Sequence, residues 1–193
     1  PVRTMVLIAV LTGLRIGEIL GLRWQNVDLE RGELRVEHSV YRGSFGSPKT
    51  KGSRRTLPLP ETAIAALKRL AQQLPDANPE RPVFASRKGT VLHDTNLLLR
   101  HLKPAGEQVG LRWVSWHTFR RTHATLLQLA GGSAKDAQAQ LGHSQITTTL
   151  GIYTIPVPAH QRAAVEKLSQ LVTNGDEFKA KREAGVSEPQ LLQ

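Results

Sequence analysis

The 193-residue chain contains no cysteine, which excludes disulfides and thiolate metal sites and fits a reducing cytoplasm. No apolar run approaches the roughly 20 residues of a membrane-spanning helix, and no basic amphipathic face suited to a lipid surface dominates. A membrane is therefore set aside as a partner. No initiator Met or signal-peptide pattern precedes Pro1-Val2-Arg3, and the chain runs at once into apolar residues 5–11, so it reads as a piece of a longer polypeptide. No internal repeat and no paired-carboxylate cluster of the two-metal nuclease kind is found. Acidic residues are scarce, 16 Asp+Glu against 26 Lys+Arg, for a formal charge of +10. With a pI near 10.5, such a field attracts polyanions, and nucleic acid is the leading partner. The length suits one main core that buries roughly 70% of the unfolded surface.

Residues 2–11 read as a buried helix ending near Gly13, and Ile16, Ile19, Leu20 and Leu22 continue an apolar helical face. Arg15 and Glu18 then lie one turn apart. Three segments favour strand: Val27-Asp28-Leu29, Glu33 to Glu37, and Arg54 to Leu59, separated by turn signals at Arg31-Gly32 and Lys51-Gly52-Ser53. They predict a small three-stranded antiparallel sheet whose last turn is crowded with Lys49, Lys51, Arg54 and Arg55. Helices return after Pro60, with Ala63, Ile64, Leu67 and Leu70 at helical spacing, and after Asp94, where Leu97, Leu98, Leu99 and Leu102 cluster before Gly110. Ser115 is a candidate N-cap for a helix from about His117 to Ala130. Gly131-Gly132 stops it, and Ser133 caps another through Leu141. Pro156 and Pro158 break the chain after Tyr153, an amphipathic helix carries Ala164, Val165, Leu168 and Leu171, and residues 174–193 are polar, a mobile or partner-docking tail. The fold class is α+β and mainly α, with one domain over 1–172 and a polar tail over 173–193.

Taken singly, the chemistry-bearing motifs have ordinary explanations: a helix boundary at TGLRIGE, a capped helix start at His117-Thr118-Phe119-Arg120, a helix end at Leu141-Gly142-His143, and a core phenol at Tyr153. Together they supply what transfer at a phosphodiester needs. Charge builds on the non-bridging oxygens during in-line attack, so fixed cations, a nucleophile and a proton donor are required. Arg15 and Arg120 offer planar forks for bidentate phosphate contact. His117 and His143, with pKa values near neutrality, can donate hydrogen bonds or manage a proton. Tyr153 offers a nucleophile once neighbouring cations and a base favour its phenolate.

In this order and spacing, the motifs resemble the catalytic domain of the tyrosine recombinase or phage integrase family. TGLRIGEILGLRW resembles the family's first box and implies Arg15 as a catalytic arginine supported by Glu18. HTFRRTHATLL resembles the second and implies His117 and Arg120. LGHSQITTTLGIY resembles the third and implies His143 and, ten positions on, the nucleophile Tyr153. SPKTKGSRRTLPLP resembles the hairpin that carries the general-acid lysine, for which Lys49 fits the pattern better and Lys51 is the alternative. The resemblance spans residues 4 to about 170. Relatives commonly carry His two positions after the nucleophile, where this chain has Ile155. The resemblance also implies one more helix at the start of the catalytic domain and a DNA-clamping helical domain before it, both expected to be missing from this stretch.

The resemblance implies a site-specific recombinase acting on double-stranded DNA through a 3′-phosphotyrosyl link, with no cofactor and no metal. It also implies a cytoplasmic, nucleoid-associated enzyme of a bacterium or phage. A homotetramer would form on paired sites, with monomer or weak dimer off DNA and the segment after Tyr153 packing on a neighbour. The surplus cations Arg54, Arg55, Arg100 and Arg121 are expected to neutralise backbone phosphates. Three rivals remain: a non-catalytic helix-turn-helix DNA-binding protein, a type IB topoisomerase, and an inactive relic lacking its clamp.

Overall fold

The computed structural model describes residues 1–46, 53–73 and 78–153, and isolated positions at 162, 165, 166 and 169. Internal contacts divide the chain into Pro1–Thr154 and Ile155–Gln193. The boundary expected at 172/173 lies outside the described residues. Among the described residues, no helix is long and apolar enough to cross a membrane.

Helix α1 (Val2–Thr12) buries Met5, Ile8, Ala9 and Thr12, and the Thr12 hydroxyl donates to the Ile8 carbonyl one turn back. It stops at Gly13, whose φ of 67° is left-handed and whose N–H donates to the Ala9 carbonyl, a glycine-dependent helix ending. Helix α2 (Ile16–Gly21) starts at once, with Arg15 as its extended N-cap. A single 3₁₀ turn (Trp24–Asn26) leads into the sheet.

The expected sheet is present. Strands β1 (Val27–Asp28), β2 (Glu33–Val36) and β5 (Arg55–Pro58) pair antiparallel in the order β1-β2-β5, with Val27 opposite Leu34 and Leu34 opposite Leu57. Leu34, Val36 and Leu57 point inward while Glu33 and Arg35 face out, the period-two alternation of a half-buried sheet. A second sheet was not anticipated: β3 (Ser39–Tyr41) and β4 (Ser44–Gly46) form a hairpin turned at Arg42-Gly43, where φ is 49° and 82°. Its strands are short and mostly exposed, with Val40 their buried side chain, so no apolar alternation marks them in sequence.

Helix α3 (Glu61–Ala71) buries Ala63, Ile64, Ala66 and Leu67. Residues 94–108 are helical throughout: α4 (Asp94–Leu97), a π-helical stretch (Leu98–Leu102) and α5 (Lys103–Gln108). Pro104 sits in the first turn of α5. Lacking an N–H and clashing with the preceding turn, it accounts for the local widening. Leu97 and Leu102 enter the core, whereas Leu99 is 60% exposed.

Helix α6 (Trp116–Leu129) starts one residue earlier than expected, with Ser115 and Thr118 capping each other. Helix α7 (Ala134–Leu141) is capped in the same way by Ser133 and Asp136 and ends at Gly142, φ 63°. Helix α8 (Ile146–Tyr153) follows. Helices α1 and α7 both pack on α6, and α8 packs on α6 and α7. The ends of α1 and α7 thereby meet at the middle of α6.

A Cβ at Gly13 would lie 2.5 Å from the His123 ring and 2.8 Å from Leu141, whereas one at Gly131, φ 90°, would meet nothing within 4 Å. Gly13→Ala is expected to cost about 3 kcal/mol from backbone strain plus overpacking, and Gly131→Ala about 1 kcal/mol from strain alone. Urea midpoints of the two variants check this, and equal losses would contradict it.

Candidate active site

Arg120, on α6, is 2% exposed. Its Nη1 donates to the Gly13 carbonyl at 2.6 Å and its Nη2 to the Leu141 carbonyl at 2.6 Å. Both acceptors sit at helix C-termini, where unsatisfied carbonyls carry partial negative charge. The two left-handed glycines, Gly13 and Gly142, end α1 and α7 beside this guanidinium. Burial, then the neighbouring Arg15 charge, pull the Arg120 pKa down to about 9, so the group remains a cation at neutral pH.

Glu18 is 3% exposed and is shared by two further arginines. Arg15 donates to it twice, from Nη1 to Oε1 at 2.9 Å and from its backbone N–H to Oε2 at 3.0 Å. Arg55, at the start of β5, donates from Nη2 to Oε2 at 3.0 Å and from Nη1 to Oε1 at 3.3 Å. Burial alone would raise the Glu18 pKa, but the bonds and charge of Arg55, then those of Arg15, outweigh it and hold the carboxyl below its usual value. Glu18 is thus bonded to two guanidinium groups, and with the charge of Arg120 beside them the centre is net positive. The Arg15 side chain is 43% exposed and lines a cleft of about 1220 Å³ together with Glu18, Ser53, His143, Ser144 and residues of the β3–β4 hairpin.

His143 follows the end of α7. Its Nδ1 lies 2.9 Å from the Thr149 hydroxyl on α8, which leaves Nε2 as the ring nitrogen available to a ligand. Burial, then Arg120, Arg15, Arg55 and His117, drive the His143 pKa down to about 4, so the ring is neutral at physiological pH. His117, in the first turn of α6, keeps an exposed edge, and partial desolvation, then the charges of Arg120, Arg121 and Arg15, lower its pKa. Six residues further along the same helix, His123 places Nδ1 2.9 Å from the Val10 carbonyl and packs its ring against Gly13, supporting the helix end that holds Arg120.

The phage integrase family model matches residues 1–160. The chain belongs to the phage integrase family. It is 32% identical to a "Tyrosine recombinase XerC-like" protein of Caldanaerobacter subterraneus subsp. tengcongensis, over 88% of this chain and 49% of the relative. It is 31% identical to the tyrosine recombinase XerA of Pyrococcus furiosus, over 88% and 55%. The chain therefore spans about half the length of these curated relatives. Among solved structures, the Tn1549 transposon integrase in complex with circular intermediate DNA matches with a TM-score of 0.70 and 27% identity, over 86% of this chain and 59% of that one.

Of the residues that signalled a phage integrase in the sequence, Arg15, Glu18, His117, Arg120 and His143 are brought to one cationic centre. Tyr153 is the last residue of α8. Lys49 and Lys51 lie outside the described residues. One expectation is corrected: Arg55 is not a free surface cation for DNA phosphates, because its side chain is 8% exposed and bonded to Glu18 and to backbone carbonyls. Sequence reasoning also missed Thr149, which is fully buried. Its link to His143 crosses the α7–α8 turn at a spacing of six, which no local periodicity rule would flag.

The depressed His143 pKa has a definite sign in acid. Between its usual value of 6.5 and about 4, the unfolded chain binds a proton that the folded ring refuses, so folding stability falls as pH drops through this window. Histidine ring resonances followed against pH are expected to give a His143 midpoint well below 6 in the wild type, moved upward in Arg120→Met. An ordinary midpoint in the wild type would contradict the described electrostatics.

Proposed function

We propose that this chain carries the catalytic centre of a tyrosine site-specific DNA recombinase, which cleaves and rejoins double-stranded DNA. The observation that carries the reading is the centre in which Arg15 and Arg55 are bonded to the Glu18 carboxylate while Arg120, held by two backbone carbonyls, adds a third guanidinium charge. An arrangement short of negative charge and open to a cleft suits a phosphodiester, whose non-bridging oxygens gain charge on attack. The relatives are named recombinases, and the transposon integrase is bound to DNA.

In the reaction, the Tyr153 oxygen forms a bond to the scissile phosphorus while the bond to the 5′ oxygen breaks, leaving a 3′-phosphotyrosyl link. Arg15 and Arg120 neutralise the non-bridging oxygens. Neutral His143 can accept the phenolic proton at Nε2, and His117 can donate a hydrogen bond to the phosphate. Lys49, with Lys51 as the alternative, protonates the departing 5′ oxygen. Rejoining reverses these steps on a new 5′ hydroxyl. The tyrosyl ester conserves the bond energy, so neither ATP nor a metal ion enters the scheme. A homotetramer on paired sites, with the segment after Tyr153 reaching a neighbour, and a place on the nucleoid complete the proposal.

The test uses the full-length protein that carries this segment and a nicked suicide substrate bearing its mapped attachment site. Wild type should give a covalent protein–DNA adduct on a denaturing gel. Tyr153→Phe should give none while still shifting the DNA in a native gel, and Arg120→Lys should slow adduct formation on the order of 100-fold. Adduct formation by Tyr153→Phe would overturn the proposal.

A further inference from the structure

The mechanism leaves Arg55 without a task, although it is among the most fully engaged side chains of the site. Its Nε donates to the Gln140 carbonyl at 2.7 Å, its Nη1 to the Ser53 carbonyl at 2.9 Å and to Glu18 Oε1 at 3.3 Å, and its Nη2 to Glu18 Oε2 at 3.0 Å. One guanidinium therefore joins Ser53, just before β5, the start of α2 (Glu18) and the last turn of α7 (Gln140), three residues before His143. Four of its five N–H donors are thereby bonded to protein.

We infer that Arg55 is a positioning residue for Arg15: its fork occupies both oxygens of Glu18, so Arg15 keeps donors for an anion in the cleft. This rests on the phosphate-binding reading above. Glu18 is buried and must be neutralised, because an isolated buried carboxylate is costly. Two partners could do so. Arg55 does it with a bidentate pair, and Arg15 adds one side-chain bond and its backbone N–H. Arg15 remains 43% exposed along the cleft, whereas Arg55 is 8% exposed. The Arg55 bonds and charge also outrank those of Arg15 in lowering the Glu18 pKa. Without the fork, Glu18 would draw the Arg15 guanidinium inward and consume the donors a phosphate needs. A lysine at position 55 would keep the charge but not the planar pair of donors.

Inorganic phosphate is the probe, titrated against the His143 ring resonance in wild type, Arg55→Lys, Arg55→Gln, Glu18→Gln/Arg55→Lys and Arg69→Gln. Urea unfolding confirms that each variant folds cooperatively. Arg69 lies exposed on α3, and its loss controls for one missing cation. Phosphate affinity should fall about tenfold in Arg55→Gln and about threefold in Arg55→Lys. It should recover most of that loss in the double variant, where no carboxylate competes for Arg15, and stay unchanged in Arg69→Gln. Wild-type affinity in Arg55→Lys would show that charge alone matters and overturn the inference. A double variant no tighter than Arg55→Lys would overturn it as well. If the wild type itself gave no phosphate-dependent shift, the phosphate-site reading would fail and take the inference with it, an outcome distinct from a wild-type shift that the Arg55 variants retain.

Discussion

A guanidinium with 2% of its surface in water is a costly group to bury, since desolvating an ion costs several kcal/mol before any partner is found. Arg120 is kept in place by the carbonyls of Gly13 and Leu141, and the fold around it follows from that requirement. Two helices must end at the same point with their carbonyls turned inward. Each must stop abruptly, which the left-handed glycines at 13 and 142 achieve. The helix that bears Arg120 must cross both ends, as α6 does through its packing on α1 and α7. Carbonyl partial charges compensate a full cation incompletely, and Arg15 and Arg55 add repulsion. The remaining deficit is what an anion in the cleft would relieve.

The same deficit sets the state of the histidines. An imidazole among cations is discouraged from taking a proton, and His143 is held neutral by burial and by the surrounding arginines. The pocket thus keeps fixed guanidinium charge for binding while its imidazole remains able to accept a proton. Glu18 moderates the arrangement: as the carboxylate bonded to both Arg15 and Arg55, it reduces cation repulsion without cancelling the excess.

Much of this was legible in the sequence because local rules and chemistry coincide. The glycine stops, the Ser115 and Ser133 caps, the apolar run of α1 and the apolar periodicity of α3 mark element boundaries directly. The alternation in β2 and β5 gives the sheet. The spacing of three between Arg15 and Glu18 puts them in reach within one helical turn. What stayed hidden depends on distant partners or lacks periodicity. Arg55 looks like any arginine of a basic turn until the chain brings Glu18 and Gln140 to it, 37 and 85 residues away in sequence. Thr149 becomes informative once α8 folds back on His143. The β3–β4 hairpin carries too little buried apolar surface to leave a pattern.

Arg120, wedged between two helix ends, creates a site with unmet demand for a phosphate. Thermal unfolding in increasing inorganic phosphate, with chloride adjusted to constant ionic strength, tests it directly, because a ligand bound to the folded state raises Tm with the logarithm of its concentration. The account predicts a rising Tm for the wild type and a flat one for Arg120→Met. Parallel responses in the two proteins, or none in the wild type, would contradict it.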